Sequence, residues 1–242
     1  MKRIFDILFS VSGIIIFSPV LLVFMLLVWK QDFHSPLYIS NRIGKGNKTF
    51  RFIKLRSMIV NADSSGVDST SVNDNRITTV GNTIRKFKID EIPQLFHVFT
   101  GKMSLVGPRP NVKSDVDLYT NTEMALLTVR PGITDISSIV FSDEGEILLG
   151  SENPDLKYNQ VIRPWKSRLG LLYIENSGII LDVYLILITI ISIINKKFAL
   201  RLINTILIKL DADPDLIKVC LREQELFPHP PPGSKKVAET NK

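Results

Sequence analysis

The chain has 242 residues, room for one large or two small domains, and is 45% hydrophobic with a net charge of +6. A single cysteine, Cys220, excludes an internal disulfide and fits a reducing compartment, and three scattered histidines with no Cys/His spacing exclude a structural zinc cluster. Residues 30–110 carry thirteen Lys/Arg against six Asp/Glu, whereas residues 111–195 carry six against eleven, so the basic excess is local. That excess predicts an anionic partner. The longest basic runs are pairs such as Lys2-Arg3 and Lys196-Lys197, which argues against a nucleic-acid tail but leaves room for a folded phosphate site.

The N-terminus is apolar. From Ile7 to Trp29 there are 23 residues without a charge, enough to cross a bilayer core, which needs ~20. A cleaved signal peptide would have an apolar region of only ~7–15 residues, ending in small residues at a cleavage site. This run is longer and ends in Leu27-Val28-Trp29-Lys30, an interfacial anchor. Ser18-Pro19 interrupts it. Proline removes one helical hydrogen bond, and a neighbouring serine hydroxyl can satisfy the freed carbonyl. Two geometries follow: a kinked span, or a helix-break-helix that returns to its own side. Lys2-Arg3 and Lys30 put basic charge at both ends and lend some support to the second, but the residues alone leave both open. Asp6 falls near the interface in either.

Residues 37–60 predict two strands around a Gly-Lys-Gly-Asn turn, and the polar stretch 61–75 a loop. Ile92, Leu95, Phe96 and Phe99 recur at helical spacing and stop at Gly101. "GPRP" at 107–110 and "RPGIT" at 130–134 read as turns, with a helix over 114–128 between them. A helix is expected over 154–176. The run 178–194 is slightly short for a span, and Asp182 would be costly in lipid, so a buried or interfacial helix is expected. Residues 196–210 are basic and amphipathic, equally suited to a membrane surface or a packed core. The Pro-rich tail from 227 is expected to be disordered. No internal repeat is present. The resulting division is a membrane helix (1–30), a catalytic unit (31–195), an amphipathic extension (196–226) and a tail (227–242).

"KIDEIPQL" (88–95) places two carboxylates, Asp90 and Glu91, in the most basic part of the chain. Aspartate suits a helix N-cap, and glutamate and proline suit the first turn, so capping explains every residue type present. Three features point further. A helix N-terminus attracts anions, which an acid pair would oppose. Arg85, Lys86 and Lys88 precede the pair, and Lys102 and Arg109 follow on rigid backbone. Carboxylates among guanidinium groups suit phosphoryl transfer, the carboxylate attacking phosphorus and the cations offsetting charge on its oxygens. A divalent metal, Mg²⁺ above all, would relieve repulsion between an anionic nucleophile and a diphosphate.

"RKFKIDEIPQLFHVFTGKMSLVGPRP", with "NRIGKGNKTFRFIKLRSM", "NRITTVGNTIRK", "RPGIT" and "NSGIILDVYLILITI" in order, resembles the bacterial sugar transferase family, the monotopic polyprenyl-phosphate phosphoglycosyl transferases, over roughly residues 1–195. The resemblance implies an α/β, mostly helical, membrane-associated fold with a re-entrant N-terminal helix broken at Ser18 and Pro19. It implies location at the bacterial inner membrane with the catalytic unit on the cytoplasmic face. The implied reaction moves sugar-1-phosphate from a UDP-sugar to undecaprenyl phosphate through an aspartyl phosphosugar intermediate. Asp90 then matches the nucleophile and Glu91 its partner in holding Mg²⁺. Lys54, Arg56, Arg85 and Arg109 match phosphate-binding positions, with Arg42 and Arg130 as further candidates. Lys54 and Arg56, alternating on one strand, would face the same way; they could also line a solvated face, and Arg76 could simply pair with Asp74. After "RPGIT" the sequence departs from the family's pattern, so sugar-ring contacts do not carry over. The expected partners are a UDP-sugar, polyprenyl phosphate and membrane lipid, without nucleic acid. The 196–242 extension is a candidate membrane contact or homo-oligomer interface. The competing expectation is a membrane-anchored basic module that docks anionic lipid or nucleic acid without catalysis; it leaves the acid pair unexplained.

Overall fold

The computed structural model describes residues 1–66, 69–71, 73–222 and 225–239. It begins with α1 (Lys2–Asp32), the one helix among the described residues long and apolar enough to cross a membrane. The expected break does not interrupt it: α1 is helical through Pro19. Pro19 cannot donate to the Ile15 carbonyl, and the Ser18 hydroxyl donates to that oxygen instead, at 3.0 Å.

Both ends of α1 are tied to the same body. Lys2 donates to the Val106 carbonyl and pairs with Asp182, and Arg3 donates to the Val98 and Phe99 carbonyls. Asp6 is buried and accepts from the Ser104 hydroxyl and the Leu105 N–H. Midway, Gly13 lies against Leu95. Further along, Val28 joins Leu55, Ile84 and Ile89 in a small core flanked by Leu21, Phe24 and Met25. At the far end Asp32 pairs with Arg56. The rest of α1 leaves Leu8, Ile15, Ile16, Leu22 and Val23 exposed.

The predicted hairpin is present. Strands β1 (Leu37–Ile43) and β2 (Thr49–Leu55) are antiparallel, with Ser40 opposite Phe52 and Arg42 opposite Phe50. Gly46 and Asn47 take positive φ in the turn, where glycine carries no Cβ penalty. Of the predicted 61–75 loop, 67, 68 and 72 lie outside the described residues. Helix α2 (Thr79–Lys86) starts at Thr78, whose hydroxyl accepts from the Gly81 N–H. A 3-10 turn, Ile89–Glu91, leads into α3 (Gln94–Phe99).

Of the two motifs expected to be turns, "GPRP" follows a strand as a bend and irregular backbone, while "RPGIT" supplies a strand itself. β3 (Ser104–Val106) and β4 (Gly132–Thr134) pair in parallel. They close so tightly that a Cβ on Gly132 would lie 2.1 Å from the Gly107 nitrogen, so only glycine fits. Backbone contact between "GPRP" and "RPGIT" thus fixes the loop that carries Arg109.

The single helix expected over 114–128 is two short pieces, α4 (Lys113–Val116) and a 3-10 segment Glu123–Thr128. Glu123 is the reason. It turns inward, fully buried, to accept from the Thr120 N–H and the Ser167 hydroxyl. Short helices α5 (Ile136–Val140), α6 (Glu144–Ile147) and α7 (Pro154–Lys157) follow. A π-turn, Tyr158–Ile162, joins α7 to α8 (Arg163–Glu175) within the helix expected over 154–176. α9 (Ile179–Ile194) buries Asp182 completely, where Lys2 and the Tyr173 hydroxyl neutralise it rather than lipid.

α10 (Lys196–Lys209) and α11 (Pro214–Leu221) complete the main core. α10 buries Ala199, Leu200, Ile203 and Leu207 in the same cluster as Ile136, Leu169, Leu185 and Leu216, so the packed-core reading of this segment holds. Of the tail expected to be disordered, 227–242, the described part makes specific contacts. His229 stacks on Trp165 at 4.3 Å between centroids, and its N–H reaches the Gln160 carbonyl that Pro164 cannot serve. The Thr120 hydroxyl donates to Pro232, and Arg168 to Pro230. Residues 240–242 lie outside the described residues.

Candidate active site

The site forms where the hairpin, the 3-10 turn and the β3–β4 loop meet. Lys88 adopts a left-handed conformation (φ 53°) and turns the chain sharply out of α2 into the Ile89–Glu91 turn. Asp90 therefore sits inside that turn rather than capping α3: the N-cap position belongs to Pro93, and no side chain caps the helix. This corrects the capping reading and leaves the Asp90 carboxylate without a structural hydrogen bond among the described residues.

Asp90 is 9% exposed. Lys54 Nζ lies 3.7 Å from Asp90 Oδ2, an ion-pair distance too long for a hydrogen bond. Glu91 is held firmly: Arg109 Nη2 donates to Glu91 Oε1 at 2.6 Å, while Nη1 donates to the Ile133 carbonyl at 3.3 Å. Arg85 Nε donates to the Ser57 hydroxyl at 3.0 Å, and its charge reaches Asp90.

The electrostatics divide the two acids. Burial pushes the Asp90 carboxyl above its ordinary range, Lys54 opposes that, and the adjacent Glu91 charge reinforces it. Burial acts on Glu91 too, but Arg109, then Lys88 and Lys54, overcome it and hold Glu91 at about 2. The Arg109 guanidinium is raised further by Glu91 in spite of its burial. Lys54 is brought down to about 8, first by burial and then by the like charge of Arg109. At neutral pH the pair is thus one firmly ionised acid beside one whose charge is poorly stabilised.

Lys54, Arg85 and Arg109 come together around Asp90 and Glu91 as expected. Arg42 shares a face of the hairpin with Lys54, both cations lying over the Phe52 ring, at 5.8 and 5.6 Å. Arg56 does not join them. β2 ends at Leu55, so strand alternation no longer governs Arg56, which is buried in a bidentate pair with Asp32 at 2.5 and 2.7 Å and donates to the Ser35 carbonyl. Its role is to clamp the end of α1. Arg130 is also elsewhere: it donates to the Gly101 carbonyl and lines a cavity of about 190 Å³ with Lys2, Arg3, Lys45 and Tyr173. Arg76 pairs with Asp74 at 2.6 Å.

Sequence reasoning passed over three nearby groups. Buried His97 accepts from the Ile53 N–H at 3.1 Å, so its Nε2 is unprotonated, and it fixes α3 to the strand that carries Lys54. Glu144 pairs with Lys166, whose ammonium lies over the Tyr158 ring at 5.2 Å, and the Glu144 charge is felt by Arg85 and Arg109. Gln94 is wholly buried. The His97 and Glu144 contacts cross between elements distant in sequence and leave no local pattern, whereas Gln94 lies four residues after Asp90.

A depressed Lys54 has a kinetic consequence if its cation serves phosphate. The ammonium is present below about pH 8 and lost above it. Donor kcat/KM, which reports free-enzyme groups, should fall as pH rises through that region. Lys54→Arg, whose side chain stays charged, should abolish this alkaline limb. An unchanged limb would assign it to another group.

Fold and site together define a protein with one long, largely exposed apolar helix that gathers positive charge around a pair of carboxylates, an arrangement suited to handling phosphate. The match to known proteins makes this specific: residues 1–196 fit the model of the bacterial sugar transferase family, and the chain belongs to that family. It is 41% identical over 142 residues to the UDP-N-acetylgalactosamine-undecaprenyl-phosphate N-acetylgalactosaminephosphotransferase of Aeromonas hydrophila, covering 57% of this chain and 34% of that one. It is 43% identical over 131 residues to a putative undecaprenyl-phosphate N-acetylgalactosaminyl 1-phosphate transferase of Bacillus subtilis (strain 168), covering 54% and 73%. Against the exopolysaccharide production protein ExoY of Sinorhizobium fredii, identity is 36% over 153 residues, covering 57% and 68%. The aligned region is thus about a third of the Aeromonas protein's length and more than two thirds of the other two.

Proposed function

We propose that the chain transfers sugar-1-phosphate from a UDP-sugar to undecaprenyl phosphate at the cytoplasmic face of the bacterial inner membrane. The observation that carries this reading is the pairing of buried Asp90 with Glu91, ringed by Lys54, Arg85 and Arg109, in a member of the sugar transferase family. The relatives' names supply the substrate class.

In the first step an Asp90 carboxylate oxygen attacks the phosphorus that bears the sugar. The bond from that phosphorus to the bridging oxygen breaks, and UMP leaves with the electron pair. In the second step an oxygen of the lipid phosphate attacks the same phosphorus, and Asp90 departs as carboxylate. Asp90 suits the nucleophile because burial and the absence of hydrogen bonds leave its charge poorly stabilised. Arg85, Arg109 and Lys54 would offset charge on the non-bridging oxygens. Mg²⁺ fits the residues present. Glu91 is held ionised and Asp90 carries no hydrogen bond. No third His, Cys, Asp or Glu completes a protein cage among the described residues, so such an ion would keep waters and substrate oxygens. When bound, it would neutralise part of the diphosphate charge.

The tethering of α1 supports a monotopic arrangement in which both of its ends stay on one face. A straight 31-residue helix would rise about 46 Å, more than the ~30 Å hydrocarbon core, yet both its ends bond to one body. A helix so tethered does not carry its ends to opposite faces. The exposed apolar side chains of α1, with Ile180, Tyr184 and Leu187 of α9, would enter the lipid. The test is incubation of the detergent-extracted protein with Mg²⁺, undecaprenyl phosphate and a panel of UDP-sugars. UMP release with one of them is expected, and no release with any would refute the assignment.

A further inference from the structure

Gln94 is 0% exposed, and both its amide nitrogen and its amide oxygen lack a hydrogen-bond partner. A buried amide left so is costly, and a chain retains one where a ligand or another conformation supplies the partner. Position points to that partner. Ile92 and Pro93 both have α-region dihedrals, so the 3-10 turn runs into α3 without a break. Asp90, Gln94 and Val98 recur every four residues along the buried side of this segment. Side chains four apart on a helix meet, and a Gln–Asp pair at that spacing is a stabilising hydrogen bond. Asp90 accepts no such bond among the described residues, and its paired cation, Lys54, stands 3.7 Å away. Two unsatisfied polar groups therefore lie one turn apart, with one cation holding the acid off.

We propose that Gln94 is a positioning residue for Asp90: when substrate phosphate takes Lys54, the carboxylate turns to accept from the Gln94 amide, which fixes it for attack. The inference rests on Asp90 being the nucleophile. In the free protein the amide is idle and contributes nothing to folding. In the loaded protein it holds one carboxylate oxygen and leaves the other to react, and after transfer it holds the carbonyl oxygen of the aspartyl phosphate.

The idle amide makes the test sharp. Gln94→Met keeps the shape and removes both orphan atoms, so the full chain in detergent should melt at the same temperature or about 2–4 °C higher. Its kcat should fall at least about tenfold, with donor KM little changed, on whichever UDP-sugar releases UMP fastest with the unmodified protein. A merely structural Gln94 would give the reverse: a melting temperature several degrees lower, with kcat of the folded protein unchanged. Full kcat in Gln94→Met, or that structural pattern, overturns the proposal. Asp90→Asn is measured alongside: if it is inactive while Gln94→Met is fully active, the positioning role alone fails, and if Asp90→Asn is active, the nucleophile assignment fails with it.

Discussion

Asp90→Asn is expected to lower UMP release by about 10⁴-fold or more, the scale on which an enzyme loses a covalent nucleophile. The amide is isosteric but cannot form the phosphosugar bond. Stability should change little, within about 1 kcal/mol, because no hydrogen bond depends on this carboxylate and its nearest cation is 3.7 Å away. Loss of turnover with folding intact is the diagnostic combination. Thermal melting in detergent and a coupled UMP assay on one preparation read both. A variant that is inactive because it is unfolded would say nothing about the nucleophile, and the small stability change excludes that.

Arg109→Ala should have the largest effect on stability. It leaves Glu91, a half-buried carboxylate, without its guanidinium, and the loss should be about 1–3 kcal/mol, between the exposed and the fully buried cases. The pH dependence identifies the cause. Arg109 holds Glu91 at about 2, below the ordinary carboxylate value, so the stability this pair confers is fully present above pH ~4.5 and lost as pH falls toward 2. Without Arg109, burial raises the Glu91 carboxyl, and that acid-side dependence should flatten. Urea unfolding at pH 7 and pH 4 measures the difference. Arg109→Lys keeps a charge but not the fork that spans Glu91 and the Ile133 carbonyl, so it should retain most stability and still lose about 10²-fold in turnover. Equal turnover in Arg109→Lys and the unmodified protein would remove Arg109 from the site.

Much of this centre was legible in the sequence because it is local. The hairpin follows from alternation around a glycine turn, and Arg85, Asp90 and Glu91 lie within seven residues. What stayed hidden depends on contacts between distant segments. Arg56 had the right spacing to face phosphate with Lys54, but its strand ends one residue earlier and Asp32 captures it from the end of α1. "RPGIT" read as a turn because a three-residue strand carries no periodic signal; Gly132 and Gly107 are required by backbone packing 25 residues apart. Asp182, too costly for lipid, did point to a buried helix, but its counter-charge, Lys2, lies 180 residues earlier. The Pro-rich tail had the composition of disorder, yet Pro164 leaves the Gln160 carbonyl free to receive it. The capping role given to Asp90 failed for a local reason, the left-handed Lys88, which moves the acid into the preceding turn.

The most direct measurement is the intact mass of the protein after brief incubation with Mg²⁺ and the active UDP-sugar, without lipid acceptor. The mass should rise by one sugar phosphate, with the label mapped to Asp90, and the adduct should disappear when undecaprenyl phosphate is added. An unmodified mass alongside normal transfer, or the same adduct in Asp90→Asn, would contradict a covalent path through Asp90.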